Sequence, residues 1–143
     1  MNEDSIRLLR ECDAGIQMGT ETLDRILKDV RNPAFRSVLV RCRNHHLHLG
    51  REIAMRLDGA GIRGKPLHRA AARMAKWKIC WKMRLHPDER TAADLVTQGG
   101  NMGIQSLFRY LNRYPAAEEG ARNLTLALIR SEENLVAQTR SYL

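Results

Sequence analysis

The chain has 143 residues, a mass of 16.3 kDa and a formal net charge of +8, and its 43% hydrophobic and 28% charged residues are typical of one globular domain over residues 1–143. No run approaches the ~18 apolar residues that a bilayer span requires, which excludes a transmembrane segment. The N-terminus lacks the pattern of a signal peptide, and three scattered cysteines fit a reducing compartment, so we expect a cytoplasmic protein.

The first two predicted helices cover residues 5–30 and 34–58. In both, apolar or small residues recur every three or four positions, which indicates one buried stripe per helix. Residues 31–33 break the pattern and end in a proline. Because the break is short, these two helices are predicted to form an antiparallel hairpin.

Three more helices are predicted after a glycine-rich break. A shorter helix covers residues 66–85, with Leu67, Ala70, Met74, Trp77 and Trp81 on one side. The next covers residues 91–113, begins with a weak capping box of Thr91 and Asp94, and has a predicted stripe of Ala92, Leu95, Gly99, Met102, Ser106 and Tyr110. The last covers residues 116–142. No segment alternates with the period of a strand, so the fold class is all-α.

An internal repeat relates the two halves of the chain. The segment from Gly15 to Leu27 aligns without a gap on the segment from Gly99 to Leu111, and both contain two glycines four positions apart. Glycine destabilises a helix interior by roughly 0.5 to 1 kcal/mol relative to alanine, so close helix approach is the expected reason for these glycines. Chance similarity between two amphipathic helices is the alternative.

If the repeat is structural, the chain contains two helical hairpins related by a pseudo-two-fold axis. For the hairpins to lie that way, the second long helix must be joined to the third by a connection that runs the length of the bundle, and residues 66–85 can form it as a helix of about 28 Å. We therefore predict an antiparallel four-helix bundle with a helical crossover between its second and third long helices.

This pattern resembles the ferritin-like superfamily, and in particular small bacterial ferritin-like bundles of uncharacterised function. The resemblance is carried by LLRECDAGIQMG in the first helix, PLHRAAARMAKWK in the crossover and ADLVTQGGNMGIQSLFRYLN in the third long helix. It covers nearly the whole chain. Ferritin-like di-metal proteins place a Glu on each of two helices and a Glu-x-x-His on each of the other two.

The ligand set that the resemblance implies is degenerate in this sequence. On the second helix, His46 is the histidine at the centre of the buried stripe, but Arg43 stands three positions before it instead of Glu. On the last helix, Glu132 has Leu135 three positions later. Carboxylates are therefore too few for a di-metal centre, and no cofactor is expected.

A reduced iron or manganese site around Asp13, His46 and Glu132 is the alternative, with Cys42 one helical turn from His46 as a further ligand for a softer metal. The structural interpretation is that His46 is a buried polar residue for which Gly19 makes room. His45 and His48 are predicted to point outward.

The crossover carries the other anomaly of the sequence. No acidic residue occurs between Gly59 and Pro87, and the basic residues there equal the net charge of +8: Arg63, Lys65, Arg69, Arg73, Lys76, Lys78, Lys82 and Arg84. With Trp77 and Trp81, the candidate anion-binding residues are Arg69, Arg73, Lys76, Lys78 and Lys82. Such a helix fits an anionic membrane surface, nucleic acid or an acidic protein, or it forms a solvated face over the bundle.

Three functional hypotheses follow. The first is a non-catalytic bundle that acts by binding or assembly, as a homodimer or another self-associated form. The second is the metal-binding protein described above, for which a di-metal oxidase-like activity is the one enzyme reading left open. The third is a binder of anionic surfaces through the crossover. Cys42 and His46 are spaced like a nucleophile and base, but burial disfavours hydrolase or transferase chemistry.

Overall fold

The computed structural model describes residues 1–62, 78–79 and 81–143, and these residues contain helices and no strands. The four long helices are α1 (Glu3–Leu27), α2 (Pro33–Gly59), α3 (Glu89–Arg113) and α4 (Glu119–Thr139), and α4 continues into a 3-10 turn at Arg140–Tyr142. The all-helical prediction is confirmed. No helix in the described part of the chain is both long and apolar enough to cross a membrane.

Side-chain caps fix the starts of three helices. Asn2 accepts a hydrogen bond from the Ser5 amide at the start of α1, and Asn32 accepts from the Phe35 amide at the start of α2. At the start of α3, Asp88 accepts from the Thr91 amide at 2.7 Å. The predicted capping box of Thr91 is therefore wrong, because Asp88 lies closer to the first unpaired amides and starts the helix two residues earlier.

Two apolar clusters fix the directions of the helices. One cluster joins the N-terminal halves of α1 and α4 to the C-terminal halves of α2 and α3, and includes Leu9, Ile53, Leu111 and Leu124. The other joins the opposite halves, and includes Ile26, Phe35, Val96 and Leu135. Helices α1 and α4 therefore run one way and α2 and α3 the other, so α3 begins at the end of the molecule opposite to the end where α2 stops.

The two hairpin turns are held in a reciprocal way. The α1–α2 turn is held by the start of α3, because Glu89 accepts hydrogen bonds from the backbone amides of Arg31 and Asn32. The α3–α4 turn is held by the start of α1, because Asp4 accepts from the Ala116 amide and Ser5 from the Glu118 amide. Each hairpin thus closes against the first turn of the other.

Burial also follows the sequence repeat. Buried residues of α1 correspond to buried residues at the aligned positions of α3: Leu8 to Ala92, Leu9 to Ala93, Cys12 to Val96, Ile16 to Gly100 and Leu23 to Leu107. The predicted stripe of α3 is partly wrong, because Gly99 is exposed and Met102 is 69% exposed. The side that faces the core instead carries Ala93, Val96 and Gly100, whose small side chains give a weak hydrophobic signal.

The described end of the predicted crossover is helical at residues 78–79 and 81–85, and the helix ends before His86, as predicted. Met83 is fully buried, and Ile79 packs against the same apolar cluster. Trp81 is 52% exposed. The apolar side expected from the sequence, with Trp81 on it, is therefore not the side that packs here, since Ile79 and Met83 occupy the packed side and Trp81 is about 200° around the helix from Ile79.

Candidate functional site

His46 and Glu132 form a buried polar pair between α2 and α4. The imidazole is 1% exposed, and its Nε2 lies 3.3 Å from Glu132 Oε1. This separation is longer than the usual N–H···O hydrogen bond of about 2.9 Å, so the contact is weak as it stands. The inward direction of His46, predicted from its place in the stripe, is confirmed, and His45 and His48 are exposed as predicted.

Cys42 and Ser131 extend this pair along the same helices. Cys42 Sγ lies 3.7 Å from His46 Nε2 and 3.8 Å from Ser131 Oγ. We call these four residues, Cys42, His46, Ser131 and Glu132, the central polar cluster. Apolar side chains of the two core clusters lie above and below it.

Helices α1 and α3 present glycines to the central polar cluster. A Cβ atom added at Gly19 would lie 3.5 Å from His46 Nδ1, and one added at Gly103 would lie 3.5 Å from Glu132 Cδ. A Cβ at Gly100 would lie 2.5 Å from Val136 Cγ2. Close packing therefore accounts for Gly100, where an added methyl group would clash, whereas at Gly19 and Gly103 an added methyl group would make ordinary contacts with His46 and Glu132.

The same explanation fails for the other two glycines of the repeat. Gly15 and Gly99 are exposed, and a Cβ added at either would meet nothing within 4 Å. The expectation that all four repeat glycines mark close helix approach is wrong at these two positions. They are equivalent in the repeat and equivalent in their surroundings, but no neighbouring element comes near them in the described part of the chain.

Burial shifts the pKa values of three members of the cluster toward the uncharged form. Desolvation lowers the pKa of His46 to about 4 and raises the pKa of Glu132 to about 7. Desolvation, together with the charge of Glu132, raises the pKa of the Cys42 thiol to about 12. At neutral pH the imidazole is neutral and Cys42 is a thiol, while the carboxyl group of Glu132 is near the midpoint of its titration.

These protonation states limit the chemistry of the cluster. A thiol with so high a pKa is a poor nucleophile and a poor metal ligand, because both roles need the thiolate. Among the described residues, the buried His46 Nδ1 meets no hydrogen-bond partner, so the imidazole lacks there the second hydrogen bond that normally orients a ligating or catalytic histidine. Because the pKa of Glu132 lies above that of His46, Glu132 holds the proton of the pair and can donate a hydrogen bond to the neutral imidazole.

The predicted metal ligands are only partly brought together. Cys42, His46 and Glu132 meet in the cluster, but Asp13 does not join them: on α1 its carboxylate accepts a hydrogen bond from Gln17 at 3.0 Å. Burial raises the pKa of Asp13. Across residues 1–62, 78–79 and 81–143, no set of three or more His, Cys, Asp and Glu side chains is arranged to hold a metal ion.

Most of the predicted anion-binding residues lie outside the described residues, namely Arg69, Arg73, Lys76 and Trp77. Of the others, Lys78 is exposed, Lys82 is half-buried and Trp81 is more than half exposed. Leu85, one turn after Trp81, is 56% exposed. Sequence reasoning did not single out Leu85, although its spacing from Trp81 was a usable signal.

Sequence reasoning also did not identify Ser131 as a member of the central polar cluster, or Gly100 as a residue packed beside that cluster. The signal for Gly100 is the Gly99–Gly100 pair inside a helix, which is costly without a packing reason. Ser131 had no signal beyond its place in the stripe of the last helix.

No protein-family model matches the chain, and no curated protein or solved structure is significantly similar to it.

Proposed function

We propose that this chain is a cytoplasmic ferritin-like four-helix bundle that acts by binding or assembly and not by catalysis. The observation that supports this most directly is the composition of the bundle centre. Where a ferritin-like di-metal protein would place carboxylates on two helices, α1 and α3 present Gly19 and Gly103. A single carboxylate, that of Glu132, meets His46 there.

The residues present do not fit a di-metal centre. Arg43 occupies the position of the glutamate in a Glu-x-x-His motif on α2, and its guanidinium forms an ion pair with Asp24 of α1 instead of facing the interior. Its side chain is 33% exposed. We interpret His46 and Glu132 as a polar pair that specifies how α2 packs on α4, a role for which burial and mutual contact suffice.

The alternative is a single iron or manganese ion near His46. It is supported by two contacts of His46 Nε2, one with Cys42 Sγ at 3.7 Å and one with Glu132 Oε1 at 3.3 Å. Against it stand the high thiol pKa of Cys42 and the separate position of Asp13. An ion bound there would have to displace protons from Cys42 or Glu132, so its binding would strengthen as the pH rises.

Metal analysis of untagged protein, incubated with ferrous or manganous ions and then desalted, separates the two readings. We expect less than stoichiometric metal in the wild type and no further loss in His46→Ala. His48→Ala is the matched control, because His48 is an exposed histidine on the same helix. Stoichiometric metal that is lost in His46→Ala and kept in His48→Ala would establish the alternative and overturn the proposal.

Self-association is the assembly that the surface of α3 favours. From Leu95 to Phe108 this helix contains no charged residue, although its exposed side carries Met102 and Phe108, which are 69% and 44% exposed. Interface centres are depleted in charge and enriched in Met and aromatic residues. This uncharged stretch also allows two copies of a chain with net charge +8 to meet around Met102 without opposing like charges, in a contact that ends before the exposed Arg109.

Light scattering at several concentrations tests this assembly. We expect a dimer for the wild type and dissociation for Met102→Lys, which would bring two like charges into the contact. Met55→Lys is the control, since Met55 is 66% exposed on α2. A monomeric wild type, or equal dissociation in both variants, would remove α3 as the contact surface.

A further inference from the structure

The described end of the crossover helix has two apolar sides. Ile79 and Met83 face the apolar cluster, and Met83 is fully buried there. Trp81 and Leu85, which are 52% and 56% exposed, lie on the opposite side, one turn apart. The inner pair fixes the helix to the bundle, so the outer pair is presented outward on a supported surface.

Basic residues flank the outer apolar pair on both sides. At about 100° per residue, Lys78 and Lys82 lie on one side of the line through Trp81 and Leu85, and Arg84 lies on the other. Lys78 and Arg84 are exposed. We call these five residues, Lys78, Trp81, Lys82, Arg84 and Leu85, the basic apolar surface.

We propose that the basic apolar surface binds an anionic lipid bilayer, with Trp81 and Leu85 entering the headgroup region and the basic side chains contacting lipid phosphates. Tryptophan is favoured at that depth because its ring is amphipathic, and lysine and arginine stems can lie along apolar surface while their charges reach the headgroups. Charge complementarity supports this partner, since the sequence has no acidic residue between Gly59 and Pro87.

Lipid explains the surface better than a single-stranded nucleic acid does. A single-stranded nucleic acid would use Trp81 for base stacking and the basic residues for phosphates, but it gives no role to the exposed Leu85. A bilayer uses the apolar pair and the charges together. This inference rests on the proposed binding role and names its partner. Vesicle binding tests the lipid partner and metal content tests the non-metal function, so one proposal can fail while the other stands.

The test is co-sedimentation of the full chain with vesicles of phosphatidylcholine alone and of phosphatidylcholine with phosphatidylglycerol, at low and high salt. We expect binding to the anionic vesicles that weakens as salt rises, and little binding to the neutral ones. Each basic side chain near an anionic surface strengthens partitioning about fivefold, so Lys78→Glu with Lys82→Glu should weaken it by about 30-fold or more.

Matched variants separate a local surface from net charge and general hydrophobicity. Arg41→Glu with Arg51→Glu makes the same charge change at exposed positions of α2 and should weaken binding much less. Trp81→Ala should weaken binding, whereas Met55→Ala, at an exposed apolar residue of α2 outside the proposed α3 contact surface, should not. Equal losses within either pair would overturn the proposal, because binding would then not depend on the basic apolar surface.

Tryptophan fluorescence reports insertion directly. The chain has two tryptophans, so Trp77→Phe leaves Trp81 as the sole tryptophan. Its emission should shift to the blue on addition of anionic vesicles and become protected from an aqueous quencher. Binding without this shift would contradict insertion, and gel-shift binding of single-stranded DNA that is lost in Trp81→Ala, without vesicle binding, would replace lipid by nucleic acid.

Discussion

Two adjacent glycines of α3 should respond in opposite directions to the same substitution. A Cβ atom at Gly99 meets nothing within 4 Å, whereas a Cβ at Gly100 would lie 2.5 Å from Val136 Cγ2 and 3.8 Å from the Glu132 carbonyl oxygen. We therefore compare Gly99→Ala with Gly100→Ala. The chemical change, the helix and the change in unfolded-chain entropy are the same in the two variants.

The magnitudes follow from helix propensity and packing. Alanine is favoured over glycine in a helix interior by about 0.5 to 1 kcal/mol, which is the whole expected effect at Gly99. At Gly100 the new methyl would lie well inside the 3.5 to 4.0 Å optimum for carbon contacts. Val136 cannot move aside easily, since a β-branched side chain has one strongly preferred rotamer in a helix. Overpacking costs about 1 to 3 kcal/mol, so we expect net destabilisation of about 1 to 2 kcal/mol.

Urea unfolding followed by far-ultraviolet circular dichroism measures both changes, and unchanged m values would show that the unfolding reaction is the same. Val136→Ala provides a second step, because it removes the methyl that the new Cβ would meet. In that background Gly100→Ala should lose its cost, with a coupling free energy of about 0.5 to 3 kcal/mol. Equal stabilisation by Gly99→Ala and Gly100→Ala would refute the reasoning, since α3 and α4 would then not approach each other at Gly100.

Three further predictions concern the pair at the centre and the ends of the bundle. The lowered pKa of His46 makes the folded protein lose stability as the pH falls from 6.5 to 4. The raised pKa of Glu132 makes it lose stability as the pH rises from 4.5 to 7. Between pH 4.5 and 6.5 these two pH dependences of the free energy of unfolding oppose each other. In Glu132→Gln only the His46 dependence remains, so the free energy of unfolding should rise with pH by about 1.4 kcal/mol per pH unit relative to the wild type. A difference between variant and wild type that stays constant across this range would contradict a pair that is neutral there. Phe35→Ala should destabilise by about 3 to 5 kcal/mol in urea unfolding, since the ring is fully buried and stacks on Tyr142 at 4.4 Å; a loss below about 1 kcal/mol would show that this end is not packed. Asn32→Ala removes the cap of α2 and should lower the thermal midpoint by an amount equivalent to about 0.5 to 2 kcal/mol, and an unchanged midpoint would show that the cap contributes nothing.

The inward direction of His46 could be predicted because helical periodicity fixes which side of an amphipathic helix is buried. The same rule failed on α3 and at Trp81. On α3 the buried side carries Ala93 and Gly100, and the large apolar Met102 is exposed, so the apolar pattern indicates a side that is partly wrong. Periodicity works where side-chain size and burial agree, and it fails where small residues pack and large ones face solvent.

The sequence by itself determined the helical content, the breaks at the prolines and glycines, and the similarity of the two halves, because each depends on residues close together in the chain. Tertiary structure decided which acidic residue meets His46. Asp13 and Glu132 were both candidates to meet His46, because each lies beside the buried stripe of its helix. Which of them lies at the height of His46 along the bundle depends on how the two hairpins are aligned. That register is set by contacts between distant segments, such as Gly100 with Val136, and the shifted pKa values of His46 and Glu132 follow from the burial that these contacts produce.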